Sequence, residues 1–135
     1  MNITISKDRD IPPSAIIALY ESVNWSAAKK PNQLIKGLQN SHSLLTAWDE
    51  DRLVGLCNAI SDGHLVVYFP HLLVHPDYHG QGIGKILVQE LEKIYEDFHM
   101  QMLTADGASV KFYKKMGFAK AGDTVPMWKY AGDEH

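Results

Sequence analysis

Residues 72–85, LLVHPDYHGQGIGK, constrain this chain more than any other segment. An apolar run, Leu72-Leu73-Val74, stops at Pro76, and Gly80-Gln81-Gly82-Ile83-Gly84-Lys85 follows. Beyond the glycines, Ile83, Leu87, Leu91, Ile94 and Phe98 recur at helical spacing. The order is strand, glycine loop, helix. Glycines at a helix start let backbone approach a ligand, since no Cβ intervenes and positive φ is allowed. Unbonded N–H groups and the positive end of the helix dipole favour an anion there. The segment therefore predicts a phosphate or pyrophosphate site.

Three kinds of glycine loop compete for that anion. A nucleotide triphosphate loop needs GxxxxGK followed by Ser or Thr, whereas Ile86 follows Lys85 and no hydroxyl is placed to hold Mg²⁺. A dinucleotide fingerprint needs GxGxxG, whereas Gly80, Gly82 and Gly84 make GxGxG. Asp106 falls near the place of a ribose-binding acid, but at most one βαβ unit follows the loop. In the third case, His79-Gly80-Gln81-Gly82-Ile83-Gly84 resembles the acyl-CoA loop of the GNAT (GCN5-related N-acetyltransferase) superfamily. That loop reads Gln or Arg, two residues, Gly, one residue, Gly or Ala. The fixed glycines match and His79 departs at the first position. Downstream, Phe112-Tyr113-Lys114-Lys115-Met116-Gly117-Phe118 resembles the FYxxxGF segment of the same superfamily. Leu103-Thr104-Ala105-Asp106 and Pro126-Met127-Trp128-Lys129-Tyr130 are similar to its branch with plant chloroplast serotonin and lysine acetyltransferases. The likeness covers residues 51–130.

The resemblance implies an α/β fold with a mixed, mostly antiparallel sheet of six to seven strands and about four helices. Its fourth and fifth strands splay apart, and the pantetheine arm of acetyl-CoA lies between them. It implies an N-acetyltransferase with acetyl-CoA as donor. Backbone of Leu72, Leu73 and Val74 would meet the arm. His79, Gly80, Gln81, Gly82, Ile83, Gly84 and Lys85 would hold the pyrophosphate, with Asp106, Ser109 and Phe112 completing the set. A histidine at position 79 adds a charge-assisted contact only when protonated.

At 135 residues the chain is read as one domain, residues 1–135, large enough for a real core. It has no stretch of about 18 apolar residues and no apolar signal region at its start, so a soluble cytoplasmic protein without membrane contact is expected. One cysteine excludes an internal disulfide and fits a reducing compartment. A net charge of −3 argues against nucleic acid as partner and suits a cationic substrate.

Alternation predicts a strand at residues 2–5. Pro12 and Pro13 open a helix through Tyr20 to Val23, and Pro31 opens a second carrying Leu34, Ile35 and Leu38. Strands follow at 43–48 and 53–60, then an Asp62-Gly63 turn and a long fourth strand at 65–74. The third helix precedes a strand at 100–104 and a helix at 107–116. Residues 118–121 and 125–130 are read as a closing strand pair. Pro70 removes a ladder donor from the fourth strand, so it marks either a bulge at Phe69-Pro70 or an edge.

Acetyl transfer to an amine needs a proton acceptor, because an alkylammonium is only about one part in a thousand neutral at pH 7. It also needs a donor for the leaving thiolate. Tyr113 stands where the family's acid tyrosine stands; without that resemblance, Phe112 and Tyr113 read as core aromatics. His71, just past Pro70, is the candidate base, with a hydrogen-bonded structural histidine as the alternative. Asp62 and Asp106 are other acceptors, although Asp106 also suits a helix N-cap. His71, His75 and His79 repeat every four residues, but Pro70, Pro76 and the glycines forbid the helix that would stack them, so no metal site is expected. Cys57, in mid-strand, reads as a buried inert thiol.

The acceptor pocket is expected under the first two helices and their connection, residues 20–30, and the closing strand pair. Tyr20, Trp25, Tyr68, Phe69 and Trp128 offer apolar faces, and Glu21 and Asp62 offer negative charge. A small primary amine is the expected acceptor. A protein lysine or N-terminal amine, or a non-catalytic acyl-CoA-binding regulatory module, are the alternatives. A homodimer stays open.

Overall fold

The computed structural model describes residues 2–132. In chain order it contains β1 (Ile3–Ser6), α1 (Pro13–Ser22), α2 (Pro31–Gln39), β2 (Ser43–Asp49), β3 (Arg52–Ser61), β4 (Val66–Tyr68), β5 (Leu72–Val74), α3 (Ile83–Ile94), β6 (Met100–Met102) and α4 (Ser109–Lys115). Short 3₁₀ turns cover Ser26–Lys29, between α1 and α2, and Pro76–Tyr78, before the glycine loop. Pro13 and Pro31 each sit in the first turn of a helix, where the missing N–H removes no helical bond.

The six strands make one open, mostly antiparallel sheet. β1, β2 and β3 pair antiparallel in succession, and β3 continues antiparallel with both β4 and β5. Only β6 joins in parallel, on β4. β3 is the central strand, buried from Leu53 to Ala59, because helices cover both its faces. Gly55, Cys57 and Ala59 face α3, with Ile83, Leu87, Leu91 and Tyr95 above them. Leu56 belongs to the opposite core, shared with Ile16, Leu19 and Tyr20 of α1 and Leu34 and Leu38 of α2.

Two expected elements differ. Residues 65–74 form two strands, β4 and β5, separated by Phe69-Pro70-His71. The break is a bulge: Cys57 pairs with Leu72 and Ile60 with Tyr68, so three steps on β3 face four on the other chain. The closing strand pair at 118–121 and 125–130 does not form. Pro126 lacks a ladder donor, and Val125 and Met127 are 74% and 91% exposed, so no face is available to bury that alternation. The sheet therefore reaches six strands by splitting the fourth.

A Cβ on Gly55 would lie 3.1 Å from Leu87 Cδ1 and 3.3 Å from Ala47 Cβ and Ile83 Cγ2. Helix α3 packs this closely only over a glycine. Gly55→Val is expected to push α3 off the sheet and to destabilise the fold by about 1–3 kcal/mol, read as a lower urea midpoint.

Candidate active site

The parallel pair of β4 and β6 ends where Phe69 N–H donates to the Met102 carbonyl at 2.9 Å. Pro70 has no N–H to extend it, and β5 pairs with β3 alone. Beyond Tyr68 and Met102 the two strands separate, which leaves one edge of β5 open. Asn58 N–H donates to the His71 carbonyl at 3.2 Å and His75 N–H to the Val54 carbonyl at 2.8 Å. Antiparallel alternation then turns the Leu73 backbone toward Leu56, and the backbones of Leu72 and Val74 toward the open edge. His79 Nε2 already lies 2.7 Å from the Val74 carbonyl oxygen. Leu73, expected to touch the donor, instead pairs inward and buries its side chain in the α1/α2 core.

The glycine loop lies at the end of that edge. Gly80 and Gly82 have φ of 78° and 80°, and a Cβ on either would meet nothing within 4 Å. Gly82 caps α3 without a side chain, and the first backbone bond back to it comes from Ile86 N–H at 3.1 Å. The N–H groups of Ile83, Gly84 and Lys85 thus head the helix without helical partners. Ile83 is buried and Lys85 exposed, so Ile83 offers only its backbone at the helix start. Gly84 differs from the other two: its Cβ would sit 3.7 Å from Phe112 Cζ and 3.8 Å from Val74 Cγ2. It is a packing glycine, and Phe112 brings α4 against the loop.

Asp106 does not cap α4, whose N-cap position is Ala108. Ser109 Oγ instead accepts from Asp106 N–H at 2.9 Å and donates to the Asp106 carbonyl at 2.6 Å, closing the turn that enters α4. On α4, Tyr113 makes edge contacts with Phe112 and Phe118, at centroid distances of 5.0 and 5.8 Å. Burial, with a smaller effect of nearby Cys57, pushes its phenol up to about 12. Tyr113 is therefore a protonated donor across the neutral range.

His71 sits in the bulge on the α1/α2 side. Asn58 holds its backbone twice, donating its own N–H to the His71 carbonyl and accepting His71 N–H at Oδ1 (3.1 Å). Asn58 Nδ2 then donates to Ser41 Oγ at 3.0 Å, and Ser41 Oγ to the Gly37 carbonyl of α2 at 2.9 Å. This chain is why Asn58 and Ser41 are among the few buried polar residues. The imidazole Nδ1 lies 2.7 Å from the Tyr20 hydroxyl. Trp25 and Tyr20 set ring edges against it, at 5.3 and 5.4 Å between centroids. Tyr20 is fully buried, which pushes its phenol far above the ordinary range.

A cavity of about 240 Å³ opens beside His71, lined also by Ala27, Lys30, Gln33, Leu34, Gly37 and Leu38. Of the expected pocket residues, Tyr20 and Trp25 gather at His71. The rest lie elsewhere. Glu21 is exposed outside the lining. Asp62 Oδ1 accepts N–H groups of Leu65, His64 and Val66, and these bonds lower its carboxyl below the usual range. Tyr68 lies on the exposed sheet face, Phe69 packs in the core against Tyr95, and Trp128, 73% exposed, stacks on Tyr130. Lys30, Gln33 and Gly37 were not singled out from sequence. They share one helical stripe with Leu34 and Leu38, and the signal was Gly37: a glycine mid-helix where a Cβ would meet nothing within 4 Å.

The three histidines have different partners: His71 meets Tyr20, His75 accepts Asp77 N–H, and His79 meets Val74. Among the described residues no group of three His, Cys, Asp or Glu side chains is disposed to hold a metal. Cys57 is buried, with its thiol pushed up by desolvation, so it is a poor nucleophile. No described helix is long and apolar enough to cross a membrane. Because Asn58 Oδ1 accepts the His71 N–H, Asn58→Ala is expected to cost about 1–3 kcal/mol in urea denaturation. It should also broaden the His71 imidazole resonances in NMR spectra.

The acetyltransferase (GNAT) family model matches residues 14–118 of this chain. An uncharacterized N-acetyltransferase ycf52 of Pyropia yezoensis is 32% identical over 131 residues, 92% of this chain and 74% of that protein. The chloroplastic GCN5-related N-acetyltransferase 2 of Arabidopsis thaliana is 38% identical over 71 residues, 51% of this chain and 28% of that protein. A solved GNAT family acetyltransferase from Streptococcus pneumoniae superposes with a TM-score of 0.83 at 29% identity, covering 96% of this chain and 99% of that one. With the splayed sheet, the glycine loop and a family model spanning most of its length, this chain belongs to the acetyltransferase (GNAT) family.

Proposed function

We propose that this acetyltransferase moves an acetyl group from acetyl-CoA to the primary amine of a small molecule, by direct attack with both substrates bound. The observation that carries the reading is spatial. The open edge of β5 runs from the glycine loop to the bulge, where His71 borders the cavity.

The residues at this edge fit acetyl-CoA. The positive-φ glycines leave open space, and three helix-start N–H groups are suited to a pyrophosphate. The Leu72 backbone and Val74 N–H are suited to an amide-bearing arm. Acetyl-CoA supplies the acyl group and a thiol leaving group. Tyr113 donates a hydrogen bond to the sulfur as charge grows there. A phenol pushed up to about 12 loses its proton less readily than a thiol of ordinary pKa, about 8.5, so its contribution is hydrogen bonding more than full proton transfer. His71 accepts the proton of the incoming ammonium at Nε2, in the tautomer whose Nδ1–H donates to the Tyr20 oxygen.

One observation favours a second role for His71. The buried Tyr20 hydroxyl has no acceptor but Nδ1 among the described residues. If it donates there, Nε2 carries the proton and His71 becomes a donor toward the reacting carbonyl, with water removing the ammonium proton. His71→Gln separates the roles. A glutamine N–H restores a donor and cannot act as base, so recovered kcat in His71→Gln but not in His71→Ala supports the donor. Equal loss in both, with the acidic limb of kcat/KM gone, supports the base.

The cavity favours a small acceptor. At about 240 Å³ it falls below the usual range for drug-sized ligands, roughly 300–1,000 Å³. Acetylation of peptide lysines in preference to every small amine would favour the protein-modifying alternative. CoA binding with no turnover on any amine would favour a regulatory module.

Gly82→Val places a branched Cβ at positive φ in the open space before α3, and should weaken CoA binding in calorimetry about tenfold or more while the fold persists. Unchanged affinity would refute the loop as the CoA site. Tyr113→Phe keeps the ring packing and removes the donor, so kcat should fall about 10²–10³-fold with the KM for acetyl-CoA little changed. Wild-type kcat, with chemistry shown to limit turnover, would return Tyr113 to a packing role.

A further inference from the structure

We propose that the acceptor amine also carries an anionic group, a carboxylate or a phosphate, and that Lys30 binds it. The inference rests on the acetyl-transfer reading and concerns the cavity beside His71.

Of the side chains lining that cavity, Ala27, Leu34 and Leu38 are apolar, Gln33 is a neutral amide, and Lys30 brings a fixed positive charge. Among the described residues no carboxylate lines it. The two acids that suggested a cationic acceptor are placed elsewhere: Asp62 is occupied by three backbone N–H groups of its own turn, and Glu21 lies outside the lining. A diamine or polyamine would enter with its second ammonium unpaired and facing Lys30, a like-charge arrangement that disfavours it. An amine bearing an anion has its partner already in place.

Lys30 is held for that task at its backbone. Its N–H donates to the Ala27 carbonyl at 3.0 Å and its carbonyl accepts Leu34 N–H at 2.9 Å, joining the 3₁₀ turn to α2. Pro31 follows and restricts the backbone of Lys30 further. The Lys30 ammonium has no carboxylate within ion-pair distance among the described residues. Gln33, one turn further on the same stripe, adds an amide N–H donor to the same wall. The cavity volume of about 240 Å³ suits an amine and an anion a few bonds apart, as in a short amino acid or an aminoalkyl phosphate.

The test is a turnover panel with acetyl-CoA and length-matched primary amines ending in a carboxylate, a phosphate, a hydroxyl or a second ammonium. Wild type should prefer one of the anionic amines, and the ranking of carboxylate against phosphate identifies which anion it takes. Lys30→Ala should lower kcat/KM for that amine about 10- to 100-fold, chiefly through KM, and leave the KM for acetyl-CoA unchanged. Lys30→Glu should shift preference toward the diamine. Lys30 is exposed, so both variants are expected to fold, with circular dichroism and CoA calorimetry as the checks. Gly37→Leu, which fills the cavity from α2, should raise KM for every acceptor. Wild-type preference for the diamine, or a ranking that Lys30→Glu leaves intact, would overturn the proposal while acetyl transfer stands. Turnover on no amine, with CoA still bound, would overturn both.

Discussion

The site depends on a hydrogen bond that cannot be made. At position 70 the chain has no N–H, so the ladder between β4 and β6 stops at the bond from Phe69 to Met102. One extra residue is then accommodated against β3, and β5 resumes pairing with β3 alone. An unpaired strand edge inside a sheet is costly unless something occupies it, because its N–H and C=O groups remain unsatisfied. Here the edge stays open toward solvent and leads into the glycine loop. The Val74 carbonyl is partly quenched by His79, the residue that replaces the arginine or glutamine of the related loops. That substitution therefore changes the strand edge as well as the charge near the loop.

The same bulge decides the reach of His71. A strand residue two positions before Leu73 would point into the α1/α2 core, as Leu73 does. The bulge instead places His71 at the core's margin, where Tyr20 and Trp25 bracket the ring and the cavity begins. Asn58 makes this affordable by satisfying both backbone groups of His71, and Ser41 passes the connection to α2. The cavity wall on α2 and the backbone of His71 are thus joined by one chain of hydrogen bonds through Ser41 and Asn58.

Much of this was legible in the residues because the signals were local. The strand, glycine loop and helix order and the proline-opened helices each follow from backbone rules acting over a few residues, whereas Pro70 left a bulge and an edge strand open until the strand registers were seen. Failures came where a residue type has several uses. Asp62 was read as a substrate carboxylate, but an acid beside glycine in a turn is also the residue that satisfies the turn's own N–H groups. Phe69 and Trp128 were read as pocket walls; one is in the core and the other on the surface. Residues 125–130 have strand-like composition, but strand propensity is realised only where a face can be buried.

The amino-acid sequence by itself carried the family resemblance and the strand–glycine loop–helix order, since motifs, glycine positions and hydrophobic periods are properties of neighbouring residues. Only the tertiary structure decided what surrounds His71. Tyr20, Asn58 and Lys30 come to it from three different elements, and no spacing in the chain records that convergence. It decided the sign of charge in the cavity as well. Charge at a site depends on which side chains the packing brings there, and packing put Lys30 on the cavity wall while committing Asp62 to its own turn.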